Sequence, residues 1–227
     1  MSSMSLAAKH PIKWTIAQFE NRGVNGAILI SDRGPVVVEG PVSAVKLRDY
    51  QLDEGLKMFR CAEQQKKALI DIAGSDGFVF VARFGKKVIG YVTYLPPDTY
   101  LNWGDSEVPD LLELGAIEVS NDWRRRGIGE ALLRESFNRD TFENHIVIST
   151  EYYWHWDLEK SGLSIWEYSN MLSSVLGKYG FELWNTNDPD ILSHPANTFM
   201  VRVGNRVPGE VIAHLKTLVM HRGNGTQ

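Results

Sequence analysis

Two features of this chain carry groups able to do chemistry. One is a pair of glutamates, Glu113 and Glu118, set in a mostly apolar run from Leu111 to Val119. The other is the basic, glycine-containing turn Arg124-Arg125-Arg126-Gly127-Ile128-Gly129 that follows it. A carboxylate in a buried strand is costly unless it is paired or faces a cleft, so at least one glutamate is expected to face a site, where it would suit general-base work. After the turn, Ile128, Leu132, Leu133 and Phe137 are spaced to form one apolar helix face. Strand, glycine turn and helix start together build an anion site from backbone: the unpaired N–H groups of a first helical turn converge on a phosphate, and the helix dipole favours its charge. Gly127 and Gly129 leave no Cβ in the way, so a pyrophosphate could lie against the main chain. The turn is not a Walker loop, because no Gly-Lys-Ser/Thr follows, nor a Rossmann fingerprint, which needs a glycine close behind the strand.

The stretch resembles the acetyl-coenzyme A binding motif of the GNAT superfamily of N-acetyltransferases, matching at Val119, Arg124, Gly127, Ile128 and Gly129. That resemblance implies acetyl-coenzyme A as cosubstrate, held by Ile117, Val119, Arg124, Arg125, Arg126, Gly127, Ile128 and Gly129. Acetyl transfer to an amine needs the neutral amine, and a lysine is only about one part in 2,500 neutral at pH 7. A general base is therefore valuable. Glu113 lies six residues before Val119, the position of the catalytic glutamate in histone-type members; Glu118 is the second candidate. The alternative for either is a salt-bridged structural carboxylate. In an unbroken strand the two face opposite sides, and a bulge at Gly115-Ala116 would bring them to one. A main-chain N–H near Val119 would hold the oxyanion. Many members donate a proton to the departing thiolate from a helix tyrosine; counting back from Gly180-Phe181 puts that position at Leu176. The acid is thus unassigned, with Tyr168, Tyr152, Tyr153 or water as alternatives. No covalent intermediate is required, so Cys61 reads as a small buried side chain. The six histidines show no metal-ligand spacing, and no metal is expected.

The elements that must position these groups follow from the pattern. Strands are expected at 26–31 and 35–40, joined at Asp32-Arg33-Gly34, then a helix N-capped by Ser43 and reaching, with a break near 53–55, to Phe59. A second helix spans 62–73 and a second hairpin 78–84 and 88–95. After the loop 96–110 come the glutamate strand and the helix behind the turn. A strand at 145–150, the aromatic run Tyr152-Tyr153-Trp154-His155-Trp156, a helix at 164–178, strands at 181–184 and 198–203 and a final helix at 209–220 complete the chain. This order matches an α/β (α+β) GNAT fold: a mixed sheet with two splayed parallel strands, flanked by helices. The expected division is a lead-in over 1–25, the acetyltransferase domain over 26–207, and a C-terminal helix and tail over 208–227. The aromatic run either walls an acceptor channel or fills core.

With 43% hydrophobic and 23% charged residues among 227, the chain has an ordinary globular composition. One cysteine excludes an internal disulfide. No apolar run approaches the ~20 residues of a membrane span. The first residues lack a continuous apolar signal region, so a cytoplasmic protein is expected. A formal charge of −4 argues against general nucleic-acid binding. Between Lys87 and Arg124 lie Asp98, Asp105, Glu107, Asp110, Glu113, Glu118 and Asp122 with no Lys or Arg. An acidic surround beside a basic turn would attract a cationic partner.

Within the superfamily, the segments VEGPVS (38–43), VIGYVTYL (88–95), LELGAIEVS (112–120), STEYYWHWDL (149–158) and SHPANTFMVRVG (193–204) resemble the acetoin-utilization protein acetyltransferases of Bacillus-type bacteria. That likeness implies AMP-forming acetyl-coenzyme A synthetase as the acetylated partner. Two other readings stay open: acetylation of a small amine, and a non-catalytic coenzyme A binding module. The oligomeric state is open.

Overall fold

A computed structural model describes residues 26–220, except Tyr100, Asn102, 105–107 and Arg139. The expected lead-in over 1–25 and the acids Asp105 and Glu107 lie outside the described residues. Among the described residues, nine strands form one sheet: β1 (Gly26–Ser31), β2 (Gly34–Glu39), β3 (Gln51–Leu52), β4 (Phe78–Phe84), β5 (Lys87–Leu95), β6 (Leu111–Val119), β7 (Ile146–Glu151), β8 (Glu182–Leu183) and β9 (Thr198–Val203). Their order is β1-β2-β4-β5-β6-β7-β9-β8, with β3 beside β5. Pairings along the main path are antiparallel except β6–β7. A crossover through a helix makes that pair parallel, as a β-α-β connection requires.

The helices are α1 (Ala44–Arg48), α2 (Ala62–Ala73), α3 (Ile128–Phe137), α4 (Leu158–Ser161), α5 (Ile165–Gly177), α6 (Pro189–Leu192) and α7 (Gly209–Met220). On one face of the sheet, Ile128, Leu132, Leu133 and Phe137 of α3 and Leu176 of α5 pack on Phe80, Val92, Tyr94 and Val147. Burying one such leucine contributes about 1.5–3 kcal/mol. The opposite face is covered in two pieces. Leu47 of α1 and Leu69 of α2 pack on Val79, Val81 and Tyr91, while Leu215 and Val219 of α7 pack on Ile146, Ile148, Phe199 and Val201. The seam between these two pieces runs under the middle of the sheet.

Local signals explain several boundaries. Ser43 caps α1 by accepting from the N–H of Lys46, and a capping box of Ser164 and Glu167 opens α5. The buried Glu39 fastens α1 to the sheet, accepting from Lys46 Nζ at 2.8 Å, the Tyr50 hydroxyl at 2.5 Å and Arg83 Nε at 2.7 Å. Burial pushes the Glu39 carboxyl up, but these three donors outweigh it and hold it below the usual range.

The structure corrects three expectations. The first helix ends at Arg48 rather than extending toward Phe59, because Gln51 and Leu52 pair with Lys87 and Val88. The strand expected over 181–184 shortens to Glu182–Leu183, with Phe181 buried in the core. Cys61 is exposed, since it occupies the N-cap of α2 at the end of a surface loop.

Candidate active site

β6 ends at Val119, passes through a single 3₁₀ turn (Asn121–Trp123) and enters α3 at Ile128. Two residues in the left-handed region shape the turn: Arg125 at φ 60° and Gly127 at φ 71°. Gly127 is the N-cap of α3 and supplies no side-chain hydrogen bond. The first N–H groups of α3 therefore keep the donor capacity that side-chain caps satisfy in most helices. A Cβ on Gly129 would meet Ile117 Cδ1 at 3.8 Å and Val119 Cγ2 at 3.9 Å, ordinary contacts, so the two strand side chains line the space beside this glycine.

The three arginines are differently placed. Arg124 is tied back into the protein, its Nη1 2.7 Å from Asp157 Oδ2 and its Nε donating to the carbonyl of Val119. Arg126 pairs with Asp32 in the β1–β2 turn at 3.1 Å. Arg125 is exposed and reaches the carbonyl of Lys160 at 3.5 Å. Arg124 and Arg126 brace the turn from both sides, and Arg125 is the member most free to swing toward an anion.

β6 and β7 pair only at Leu111–Ile146, Leu112–Val147 and Glu113–Ile148. Beyond that point β7 stays with β9 and β6 stays with β5, so the two strands diverge and the edge of β6 from Leu114 onward is left open toward β7. Gly115 is an extra residue in β6: Thr93 pairs with Ala116 while Tyr94 pairs with Leu114. A Cβ there would collide with Leu95. The bulge resets the alternation of the strand, so that Glu113, opposite Leu95, and Glu118, opposite Tyr91, lie on the same face.

That face opens into a cavity of about 530 Å³ at the seam between the α2 and α7 pieces, where the fork begins. Glu113 lines it with Thr93, Asp98, Thr150, Tyr152 and Arg60. The Thr150 hydroxyl donates to Glu113 Oε1. Burial pushes the Glu113 carboxyl above the usual carboxylate range; the Thr150 bond opposes this and the charge of Asp98 adds to it. At the open end of the fork, burial and the like charge of Glu113 also push Glu151 up.

Glu118 is placed otherwise. It is 3% exposed and both of its oxygens are engaged, Oε1 by the N–H of Met58 at 2.8 Å and Oε2 by the Tyr91 hydroxyl at 2.7 Å. Two residues on, the Ser120 hydroxyl donates to Asp53 Oδ1 at 2.6 Å. The end of β6 thus grips the 53–60 loop at two points, with Leu56 fully buried between them. The grip presents Phe59 and Arg60 as a wall of the cavity.

The candidate phenols separate. Tyr152 lines the cavity, Tyr153 lies against His194, and Tyr168 of α5 stacks on Trp156 at 5.1 Å. Leu176 is buried core. In the aromatic run, Tyr152, Trp154 and His155 line the cavity, and among the described residues no member of the run is buried. Thr150 and the Phe59–Arg60 wall were not among the residues expected from sequence, and Asp98 was singled out only as part of the acidic tract. Thr150 had a signal of its own, as the residue that opens the TEYYWHWDL stretch at the end of a strand.

Comparison with known proteins agrees with this architecture. The model of the acetyltransferase (GNAT) family matches residues 46–161. The acetoin utilization protein AcuA of Bacillus subtilis is 42% identical over 186 residues, 82% of this chain and 89% of the relative. The AcuA of Bacillus licheniformis is 41% identical over 194 residues, 85% of this chain and 92% of the relative. The solved structure of an acetoin utilization protein from Exiguobacterium sibiricum is 43% identical, covers 90% of this chain and 97% of its own, and superposes with a TM-score of 0.82.

Proposed function

This chain belongs to the acetyltransferase (GNAT) family, and from that membership we propose that it acetylates a lysine side chain of a protein, with Glu113 as the general base. Its activity is acetyl-coenzyme A dependent N-acetyl transfer. The observation that carries the finer reading is Glu113 itself, a half-buried carboxylate at the mouth of the β6–β7 fork, facing a cavity and pushed up by its surroundings. A base whose pKa moves toward neutral is better matched to its task at neutral pH.

The residues present suit the coenzyme. The uncapped N-terminus of α3, the space beside Gly129 and the exposed Arg125 offer donors and charge for a pyrophosphate. The open edge of β6 from Leu114 offers backbone groups to an extended arm in the fork. Acetyl-coenzyme A supplies an activated acyl group as a thioester. Glu113 takes one proton from the incoming ammonium, the freed lone pair forms the carbon–nitrogen bond to the acyl carbon as the carbon–sulfur bond breaks, and the second proton lost by nitrogen ends on the departing thiolate, directly or through water. An N–H on the open edge near Val119 would hold the oxyanion. Asp98, Glu113 and Asp190 make the cavity attractive to a cation before the proton is lost.

We assign AMP-forming acetyl-coenzyme A synthetase as the acceptor, on the strength of the likeness to acetoin utilization proteins. Incubation of purified synthetase with this enzyme and acetyl-coenzyme A, followed by mass spectrometry, should find acetyl on one lysine at substoichiometric enzyme. Rapid thioester consumption with polyamines and an unmodified synthetase would replace this reading with acetylation of a small amine.

A further inference from the structure

Five rings form a continuous row from the outer surface into the cavity. Trp166, at the start of α5, lies 5.9 Å from His194, and His194 lies 4.4 Å from Tyr153. Tyr153 meets Trp154 edge-on at 5.3 Å, and Trp154 stacks on Tyr152 at 4.9 Å. Tyr152 and Trp154 line the cavity. The two tryptophans that mark the row on the surface are 55% and 47% exposed, which is unusual for side chains of this size. The row is held rigidly from behind. Asn197 accepts from the N–H of Tyr153 and donates to the carbonyl of Asp190, Ser169 of α5 bonds the carbonyl of Ala196, and His194 Nδ1 accepts from the N–H of Ala196.

Exposed carboxylates stand at both ends of the row. Glu167 beside Trp166 is exposed, and so is Asp190, which lines the cavity. Rings flanked by carboxylates favour cationic side chains on an apolar stem, through the ring faces and the charge together. Exposed, preorganised tryptophans are also the side chains that most often dominate a protein interface.

We propose that this row, from Trp166 to Trp154, is the docking surface for the protein substrate. The occupant is an extended, basic segment that flanks the acceptor lysine and lies along the rings while the lysine enters the cavity. The proposal rests on the reading of the enzyme as a protein lysine acetyltransferase and adds how that protein is recognised.

The test compares two acceptors in the full-length enzyme: purified synthetase, and a lysine blocked at both its α-amino and carboxyl groups. Trp166→Ala should raise KM for synthetase about tenfold or more. It should leave kcat/KM for the blocked lysine and KM for acetyl-coenzyme A unchanged, and Trp166→Phe should recover most of the loss. An unchanged KM for synthetase in Trp166→Ala overturns the docking surface alone. Equal losses on both acceptors, a large fall in Tm, or a change of oligomeric state by sedimentation would show that Trp166 supports the fold or a second copy instead. A wild-type enzyme that leaves synthetase unmodified refutes the underlying reading, and the docking surface with it.

Discussion

Glu113 and Glu118 stand five positions apart on β6 yet project from the same face of the sheet, because Gly115 bulges out of the register between them. The two carboxylates nevertheless have different surroundings. Glu118 is closed in by the N–H of Met58 and the hydroxyl of Tyr91. Glu113 has Thr150 on one oxygen and the cavity in front of it. One strand therefore supplies both a group that can accept a proton from a ligand and a group that holds the wall beside it.

Replacing Glu113 by Gln should lower the acetylation rate ~10²-fold or more while cofactor affinity stays near wild type. The rise of rate with pH, which reports ionisation of the base, should flatten. Stability should move the other way. A carboxylate raised by burial is protonated more readily folded than unfolded, so it costs stability as pH rises from its unfolded value through its folded one. Glu113→Gln should thus unfold at a higher temperature than wild type near pH 7 and at a similar one near pH 4. Full activity in the variant, measured by thioester consumption, would remove Glu113 from the mechanism.

Glu118 should behave as a clamp. Glu118→Ala leaves the buried Tyr91 hydroxyl and the Met58 N–H without their acceptor, a loss of about 1–3 kcal/mol. Freed from its anchor, the Phe59–Arg60 wall should loosen, raising KM for the acceptor more than it lowers kcat. Glu118→Gln keeps an oxygen for Met58 and can still bond Tyr91, so it should recover most of both. A Glu118→Gln variant as inactive as Glu113→Gln would instead give Glu118 a proton-transfer role.

These contrasts mark what the chain discloses locally and what it does not. The bounds of α2, α3 and β9 follow from periodicity and caps, since each element's apolar face and end signals lie within its own residues. The glycine turn was legible for the same reason. The helix after Ser43 was overextended because its end is set by β3 pairing with β5, a contact between residues 36 apart in sequence. The cavity wall at Phe59 and Arg60 was invisible because a bond from Met58 to Glu118, 60 residues on, fixes it. The odd spacing of the two glutamates was legible, but their different surroundings depend on Tyr91, Thr150 and the loop, all brought in by tertiary structure.

The turn proposed to hold the cofactor is best probed at Gly129. Substitution at Gly127 would strain a left-handed backbone and confuse folding with binding. At Gly129, in the first turn of α3, a methyl group meets only ordinary contacts. Gly129→Ala is therefore expected to be about as stable as wild type. It should bind coenzyme A nearly as tightly as wild type, since its methyl faces Ile117 and Val119, whereas Gly129→Leu, whose side chain outgrows that space, should bind about tenfold more weakly. Calorimetry giving unchanged affinity for Gly129→Leu would place the anion elsewhere.

The last prediction isolates the charge of Asp98. This carboxylate lines the cavity with Glu113, and its negative charge is one of the forces that push Glu113 up. Asp98→Asn removes that charge while keeping the size of the side chain. Glu113 should then ionise at lower pH, so the acid limb of the kcat/KM profile should shift to lower pH. The same substitution takes one attraction away from a cationic acceptor, so KM for the protein substrate should rise at low salt. That deficit should shrink as salt increases, because exposed charges are screened over about 10 Å at 0.1 M and about 3 Å at 1 M. The pH shift should fade less with salt than the KM deficit, since Glu113, the group that feels the charge, is half-buried. An acid limb that stays where it was in the Asp98→Asn enzyme would mean that the charge of Asp98 does not set the ionisation of the group that accepts the proton.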